Sequence, residues 1–308
     1  MKALRIHHRG GPELLVVEDA PLPRLATGDV LVRVEAASFV PDELDWPGTW
    51  TDRAGRDRAP SIPGHEIVGT VTEVGYGSTG FEVGDRVCGL TDWHRDGSMA
   101  EYTAVEARNL ALLPNTLDTD QAAALPLAGL TAWQGLFIHG SLRPDQSVLV
   151  HGGAGGTGSL IIQLAKHAGA QVIATGRPNA EKLVADLGAD RFIDLTEDPE
   201  LSTAGTVDLV FDTIGGPLLE HSAAVVKPGG TLVSITAPPP IAPADGRAVF
   251  FIVEPDRDQL RELLRLAAAG DLRPQVGAVH DLDHAREAFL RKRTGLPGKA
   301  VVHIAPSR

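Results

Sequence analysis

The chain has 308 residues, 43% hydrophobic and 22% charged, which is the make-up of an ordinary globular protein with room for two domains that each bury a core. A formal net charge of −12 argues against a nucleic-acid or anionic-membrane surface, and the lone Cys88 excludes an internal disulfide framework or a multi-cysteine zinc site. No apolar run reaches the ~20 residues that span a bilayer, and no apolar core follows Met1, so a soluble chain in a reducing, cytoplasmic setting is expected.

The first third reads as short strands and turns. Residues 30–34, 67–71 and 102–105 are β-rich and broken by Gly, Pro and Asp, while Gly75, Gly77, Gly80 and Gly84 recur at turn-like spacing. A compact antiparallel or barrel-like domain is predicted over residues 1–120. Beyond it, β-runs alternate with helical stretches, the signature of a parallel α/β sheet. The predicted strands are 147–150, 171–175, 191–194, 207–212, 230–235 and 248–253, with helices at 160–166 and 180–186. Residues 258–269 form an amphipathic pattern closed by Gly270. The nucleotide-binding domain is accordingly expected over 121–265. The tail, 266–308, returns to mixed texture, with a helix near 283–291 and a last strand at 299–304.

One motif carries chemistry on its face. His151-Gly-Gly-Ala-Gly-Gly-Thr-Gly158 follows a predicted strand and precedes a helix, and Gly153, Gly155 and Gly158 fit G-x-G-x-x-G. Glycines permit a tight turn and close backbone approach, and the helix start offers free N–H groups to a pyrophosphate. An NAD-binding fold usually carries Asp or Glu at the end of the second strand to hold the ribose 2′-hydroxyl. Here that strand runs into Thr175-Gly176-Arg177, with a guanidinium in place of the acid. A guanidinium pairs with a 2′-phosphate that a carboxylate would repel, so NADPH is the expected cofactor.

Several further motifs stand in a fixed order: Pro63-Gly-His-Glu-Ile-Val-Gly69, Val83-Gly-Asp-Arg-Val87, Gly97-Ser-Met-Ala-Glu-Tyr102, Leu125-Pro-Leu-Ala-Gly-Leu-Thr-Ala132, the glycine loop, Leu187-Gly-Ala-Asp190 and Gly298-Lys-Ala-Val301. Together they resemble the medium-chain dehydrogenase/reductase superfamily, in its zinc-independent, zeta-crystallin-like quinone oxidoreductase branch. The resemblance implies an α/β protein with a GroES-like β-rich catalytic domain and an inserted Rossmann doubly wound parallel-sheet domain, the cofactor lying in the cleft. It implies cofactor contacts from Thr131, Gly153, Gly155, Gly156, Thr157, Gly158, Thr175, Gly176, Arg177, Ile214, Phe251 and Val253. It also implies a homodimer joined through the edge of the Rossmann sheet.

The chain departs from that family at two places. Zinc-using relatives carry a cysteine where this sequence reads Val40-Pro41-Asp42-Glu43, and His65 with Glu66 supply at most two of the roughly three ligands a catalytic zinc needs. No metal is expected. Quinone-reductase relatives often place an asparagine at the position of Val40, so the pocket is expected to be more apolar or to draw its polar group from elsewhere. Candidate pocket residues are Val40, Trp46, Trp50, Trp93 and His94. His65, Asp42 and Glu43 are candidate catalytic residues, directly or through a held water. The expected reaction is metal-free hydride transfer from NADPH to a quinone or another conjugated carbonyl, an enone or enal. The alternatives are a zinc-dependent alcohol dehydrogenase-like enzyme and a non-catalytic NADPH-binding sensor.

Overall fold

The structure is a computed structural model that describes residues 1–40, 42–292 and 296–304. It divides into two compact units. The first comprises Met1–Leu127, Pro255–Ala269 and Pro274–Arg308; the second comprises Ala128–Glu254 and Gly270–Arg273.

The amino-terminal part of the first unit contributes β1 (Lys2–Arg5), β2 (Val16–Asp19), β3 (Asp29–Ser38), β4 (Glu66–Val74), β5 (Arg86–Leu90), β6 (Tyr102–Glu106) and β7 (Leu110–Leu112). Alternation places the strands: Val30, Val32, Val34 and Ala36 of β3 are fully buried, while Leu31, Arg33 and Glu35 stand partly exposed between them. The second unit carries β8 (Ser147–His151), β9 (Gln171–Gly176), β10 (Arg191–Asp194), β11 (Val207–Asp212), β12 (Val226–Ser234) and β13 (Arg247–Phe250). The tail then adds β14 (Val276–Asp281) and β15 (Lys299–His303) to the first unit.

In the first unit the sheet runs β14-β15-β3-β4-β5-β7, with β6 also paired to β3. Val301 of β15 lies opposite Ser38 of β3, so the last strand completes a sheet begun more than 250 residues earlier. Phe39 stacks on Phe289 at 3.7 Å between ring centroids, and both belong to the core built on Leu4, Ile6, Val30, Val32 and Ile67.

Six parallel strands make the second unit's sheet, in the order β10-β9-β8-β11-β12-β13. Their centres are unbroken buried runs such as Val148–Val150 and Leu209–Phe211 rather than alternating ones, as expected where both faces of a parallel sheet are covered. The strand order reverses direction between β8 and β11. Open α/β sheets bind ligands outside the carboxyl ends of the strands at such a switch point.

Two expectations about this region need correction. The apolar run at 248–253 does not continue as a strand: Phe250 pairs with Ser234, the last residue of β12, and beyond it there is no neighbouring strand to join among the described residues. The helix Arg257–Ala269, expected largely within the nucleotide-binding domain, packs against β7 and belongs to the first unit. Its Leu260, Leu263, Leu264 and Ala267 form a buried stripe at helical spacing. Among the described residues no helix is long and apolar enough to cross a membrane.

Candidate active site

The second unit's site is built at the switch point. The helix Gly156–His167 begins directly after Gly155, which supplies no side-chain cap. Gly155 N–H is used by Gly152 O at 2.9 Å, while the N–H groups of Gly156, Thr157 and Gly158 have no acceptor among the described residues. Three free donors and the positive end of a twelve-residue helix form a cradle for a phosphate. Glycine is required at its third position: a Cβ on Gly158 would stand 2.1 Å from Gly152 O, closing the cradle.

Beneath that turn lies a buried polar network. His151, fully buried at the end of β8, holds Thr175 Oγ1 at 3.1 Å through Nδ1 and Ser222 Oγ at 3.0 Å through Nε2. Burial lowers its pKa to about 4, so the ring is neutral at physiological pH. Asp212, at the end of β11, accepts from the N–H groups of Ile214 (3.2 Å) and Gly215 (3.0 Å) and from Ser234 Oγ (2.9 Å). These groups fix the turns after β8 and β11.

The expected cofactor residues of this unit differ in their exposure. Gly153, Gly155, Gly156, Thr157 and Gly158 form the cradle. Gly176 ends β9 and Arg177 follows it, exposed and without an ion-pair partner among the described residues. Ile214 is 47% exposed just past β11. The others face inward. Thr175 is fully buried with its hydroxyl committed to His151. Thr131 is buried on the helix Pro126–Trp133. Phe251 turns its ring onto His139, 4.4 Å away, and Val253 is buried as well.

The first unit gathers an aromatic group around His65. Gly64 adopts φ +84°, a left-handed conformation that suits glycine, and brings the chain into β4 just after His65. The His65 ring is 3% exposed; Trp46 stacks along it at 6.1 Å and Trp93 meets it edge-on at 5.0 Å. Trp46 and Trp93 are themselves T-shaped at 5.4 Å. His65 Nδ1 lies 2.8 Å from Thr91 Oγ1. Burial, reinforced by the nearby Arg58 guanidinium, lowers the His65 pKa to about 3, which makes the ring a neutral hydrogen-bonding group and not a charged acid.

Other candidates of this unit are placed differently from the expectation. Glu43 is buried and bridges two loops: Oε1 accepts from Gly64 N–H at 2.5 Å and Oε2 from Val40 N–H at 3.0 Å. Both of its oxygens are engaged by backbone N–H groups, so it braces the loops around Val40 and Gly64. Trp50 is 4% exposed in the hydrophobic core, its indole N–H donating to Leu44 O at 2.7 Å, so it lines no pocket. Asp42 is exposed with no side-chain capping bond. His94 is half-buried, its Nδ1 3.2 Å from Thr51 O. Val40 is half-buried, tied into the site through its N–H to Glu43, and Pro41 lies outside the described residues.

Glu66 is not disposed as a metal ligand. One oxygen accepts from Leu127 N–H at 2.9 Å, and the other is held by Ser38 Oγ and the Lys299 ammonium, all buried. Lys299 also donates to Phe39 O at 3.0 Å. Among the described residues no three His, Cys, Asp or Glu side chains gather as a metal ion needs, so the donor set does not fit a catalytic zinc. Residue type and spacing do not mark Thr91, Lys299, His151 and Asp212 for these roles. Strand pairing alone brings Thr91 to His65, 26 residues away, and Lys299 to Glu66 across most of the chain.

Comparison with known proteins agrees with this architecture. Residues 26–115 match the alcohol dehydrogenase GroES-like domain and residues 187–302 the zinc-binding dehydrogenase family. A 2-methylene-furan-3-one reductase of Solanum lycopersicum is 34% identical over 99% of this chain and 80% of its own length. An NADPH-dependent alkenal/one oxidoreductase, chloroplastic, of Arabidopsis thaliana is 35% identical with the same coverage. The solved quinone oxidoreductase of Coxiella burnetii superposes with a TM-score of 0.89 over 99% of both chains at 29% identity. The chain therefore belongs to the medium-chain dehydrogenase/reductase superfamily, in its quinone oxidoreductase branch.

Proposed function

We propose that the protein is an NADPH-dependent, metal-free reductase of conjugated carbonyl compounds, a quinone, enone or enal. The observation that carries the cofactor half is the cradle of three free N–H groups at the switch point, with the exposed Arg177 at the end of β9. The names of the tomato and Arabidopsis relatives support the acceptor half.

NADPH, when bound, would supply the hydride. The chain's own residues do the rest. The free N–H groups at Gly156–Gly158 would hold the pyrophosphate, and Arg177 would pair with the 2′-phosphate. Trp46 and Trp93 give a flat acceptor two aromatic surfaces and keep water from it. Neutral His65 offers the acceptor oxygen a hydrogen bond in the tautomer in which Thr91 Oγ1 donates to Nδ1 and Nε2 carries the proton. Conjugation lets the acceptor oxygen take the developing charge without a Lewis acid, and the final proton comes from solvent, since Glu43 is committed to backbone.

Consumption of NADPH followed by absorbance across quinones, enones, enals and simple ketones, repeated with NADH, tests the reading. Turnover of conjugated acceptors with NADPH preferred supports it. Turnover confined to simple ketones, or driven by NADH, overturns it and favours the zinc alcohol dehydrogenase alternative. Tight NADPH binding with no turnover of any acceptor favours the sensor. The homodimer belongs to the same proposal: among the described residues β13 has a free edge, and Phe250 and Ile252 beside it are 40% and 69% exposed. A monomeric mass in sedimentation equilibrium would refute it.

A further inference from the structure

The segment after β13 carries two peptide groups that the fold holds open. Upstream, Phe251 N–H reaches Ser234 O at 3.4 Å. Downstream, Glu254 is gripped at both backbone atoms by one side chain: Gln134 Nε2 donates to Glu254 O at 2.8 Å, and Gln134 Oε1 accepts from Glu254 N–H at 3.1 Å. Between these tethers the N–H and C=O groups of Ile252 and Val253 have no partner among the described residues. Backbone groups left unpaired beside buried side chains are uncommon, and Val253 is only 8% exposed. They stand at the carboxyl end of the parallel sheet, where ligands bind such folds.

Gln134 is built for the task. It is 7% exposed and opens the π-helical turns Gln134–His139, an irregularity that recurs at functional positions. The helix is seated firmly there, because Gly135 lies so close to Phe211 of β11 that a Cβ would stand 2.1 Å from the ring. The paired bonds to Glu254 copy one rung of a β ladder. A side chain from 120 residues earlier thus stands in for the strand that β13 lacks.

We infer that Gln134 is a positioning residue for the cofactor: it holds the peptide groups of Ile252 and Val253 where they can hydrogen-bond the carboxamide of a nicotinamide ring. The inference rests on the NADPH reading above. It is tested by calorimetric titration of the wild-type protein, Gln134→Ala and Gln134→Glu with two probes, NADPH and adenosine 2′,5′-bisphosphate, which lacks the nicotinamide. Loss of the clamp should weaken NADPH about tenfold and leave the bisphosphate within about twofold, because only one probe reaches the clamped segment. Gln134→Glu keeps the acceptor for Glu254 N–H but loses the donor, and should fall between the wild type and Gln134→Ala. Equal weakening of both probes would assign Gln134 a structural role and overturn the inference, as would unchanged NADPH binding in both variants. Bisphosphate binding also reports that a variant is folded. Wild-type protein that bound neither probe would remove the cofactor reading itself.

Discussion

Replacing Glu43 by glutamine tests the raised titration of a buried acid in the first unit. The carboxyl group is buried and bonded to the Val40 and Gly64 N–H groups, and burial raises its pKa from 4.5 to about 7. A folded-state pKa above the unfolded one means that the folded chain holds the proton more tightly. The stabilisation is therefore complete below pH 4.5 and is lost as pH rises through about 7. At 1.36 kcal/mol per pH unit, that interval amounts to about 3 kcal/mol. The glutamine side chain has nearly the same shape, does not titrate and keeps one acceptor oxygen. The second N–H then faces an amide nitrogen, at a cost of about 1–3 kcal/mol. Glu43→Gln should be less stable than the wild type at pH 5, and the gap should close or reverse by about 3 kcal/mol at pH 8. The comparison needs urea midpoints at pH 5, 6, 7 and 8, read by tryptophan fluorescence. Trp46, Trp50 and Trp93 lie in the first unit and only Trp133 in the second, so the signal is dominated by the unit in question. A difference between the two proteins that stayed constant with pH would show that Glu43 titrates normally, and the burial argument would fail.

Three other substitutions have defined outcomes. Arg177→Ala should raise KM for NADPH about tenfold or more and leave KM for NADH unchanged, because only the 2′-phosphate loses its partner; equal changes in steady-state kinetics would take that role away. Lys299→Met leaves the Glu66 carboxylate buried without its cation and should destabilise the first unit by about 3–5 kcal/mol in urea. A loss under about 1 kcal/mol would mean that water or a proton replaces the ammonium. Gly158→Ala pushes a methyl group against Gly152 O and should abolish binding of adenosine 2′,5′-bisphosphate in a protein that still shows native circular dichroism; retained binding would show that the turn is not the phosphate cradle.

Much of the architecture was legible in the residues because it rests on local rules. The period-two pattern of Val30, Val32 and Val34, the buried runs of the parallel strands and the glycine turn before a helix each lie within a short window. The motifs that resemble a known superfamily extended that reading over both units, and matching family models agree with it. Individual side chains were harder to place. Trp50 and Trp93 are both aromatic residues in loop-like sequence, yet one is locked into the core by Leu44 O while the other faces His65. Glu43 reads as an acid available for catalysis until the positions of Gly64 and Val40 show both its oxygens occupied.

The sequence by itself determined the two-unit composition, the glycine turn between β8 and its helix and the absence of an acid after β9, since each depends on residue type at short spacing. Tertiary structure alone decided what the polar groups do. His151 is neutral because burial withholds water from it, Glu66 is an ion-pair partner because β15 returns Lys299 to it, and the peptide groups after Phe250 stand open because β12 ends at Ser234 while Gln134 holds Glu254. A hydrogen-bonding group's role is set by which partners surround it and by how much water reaches it, and residues tens to hundreds of positions away in the chain fix both.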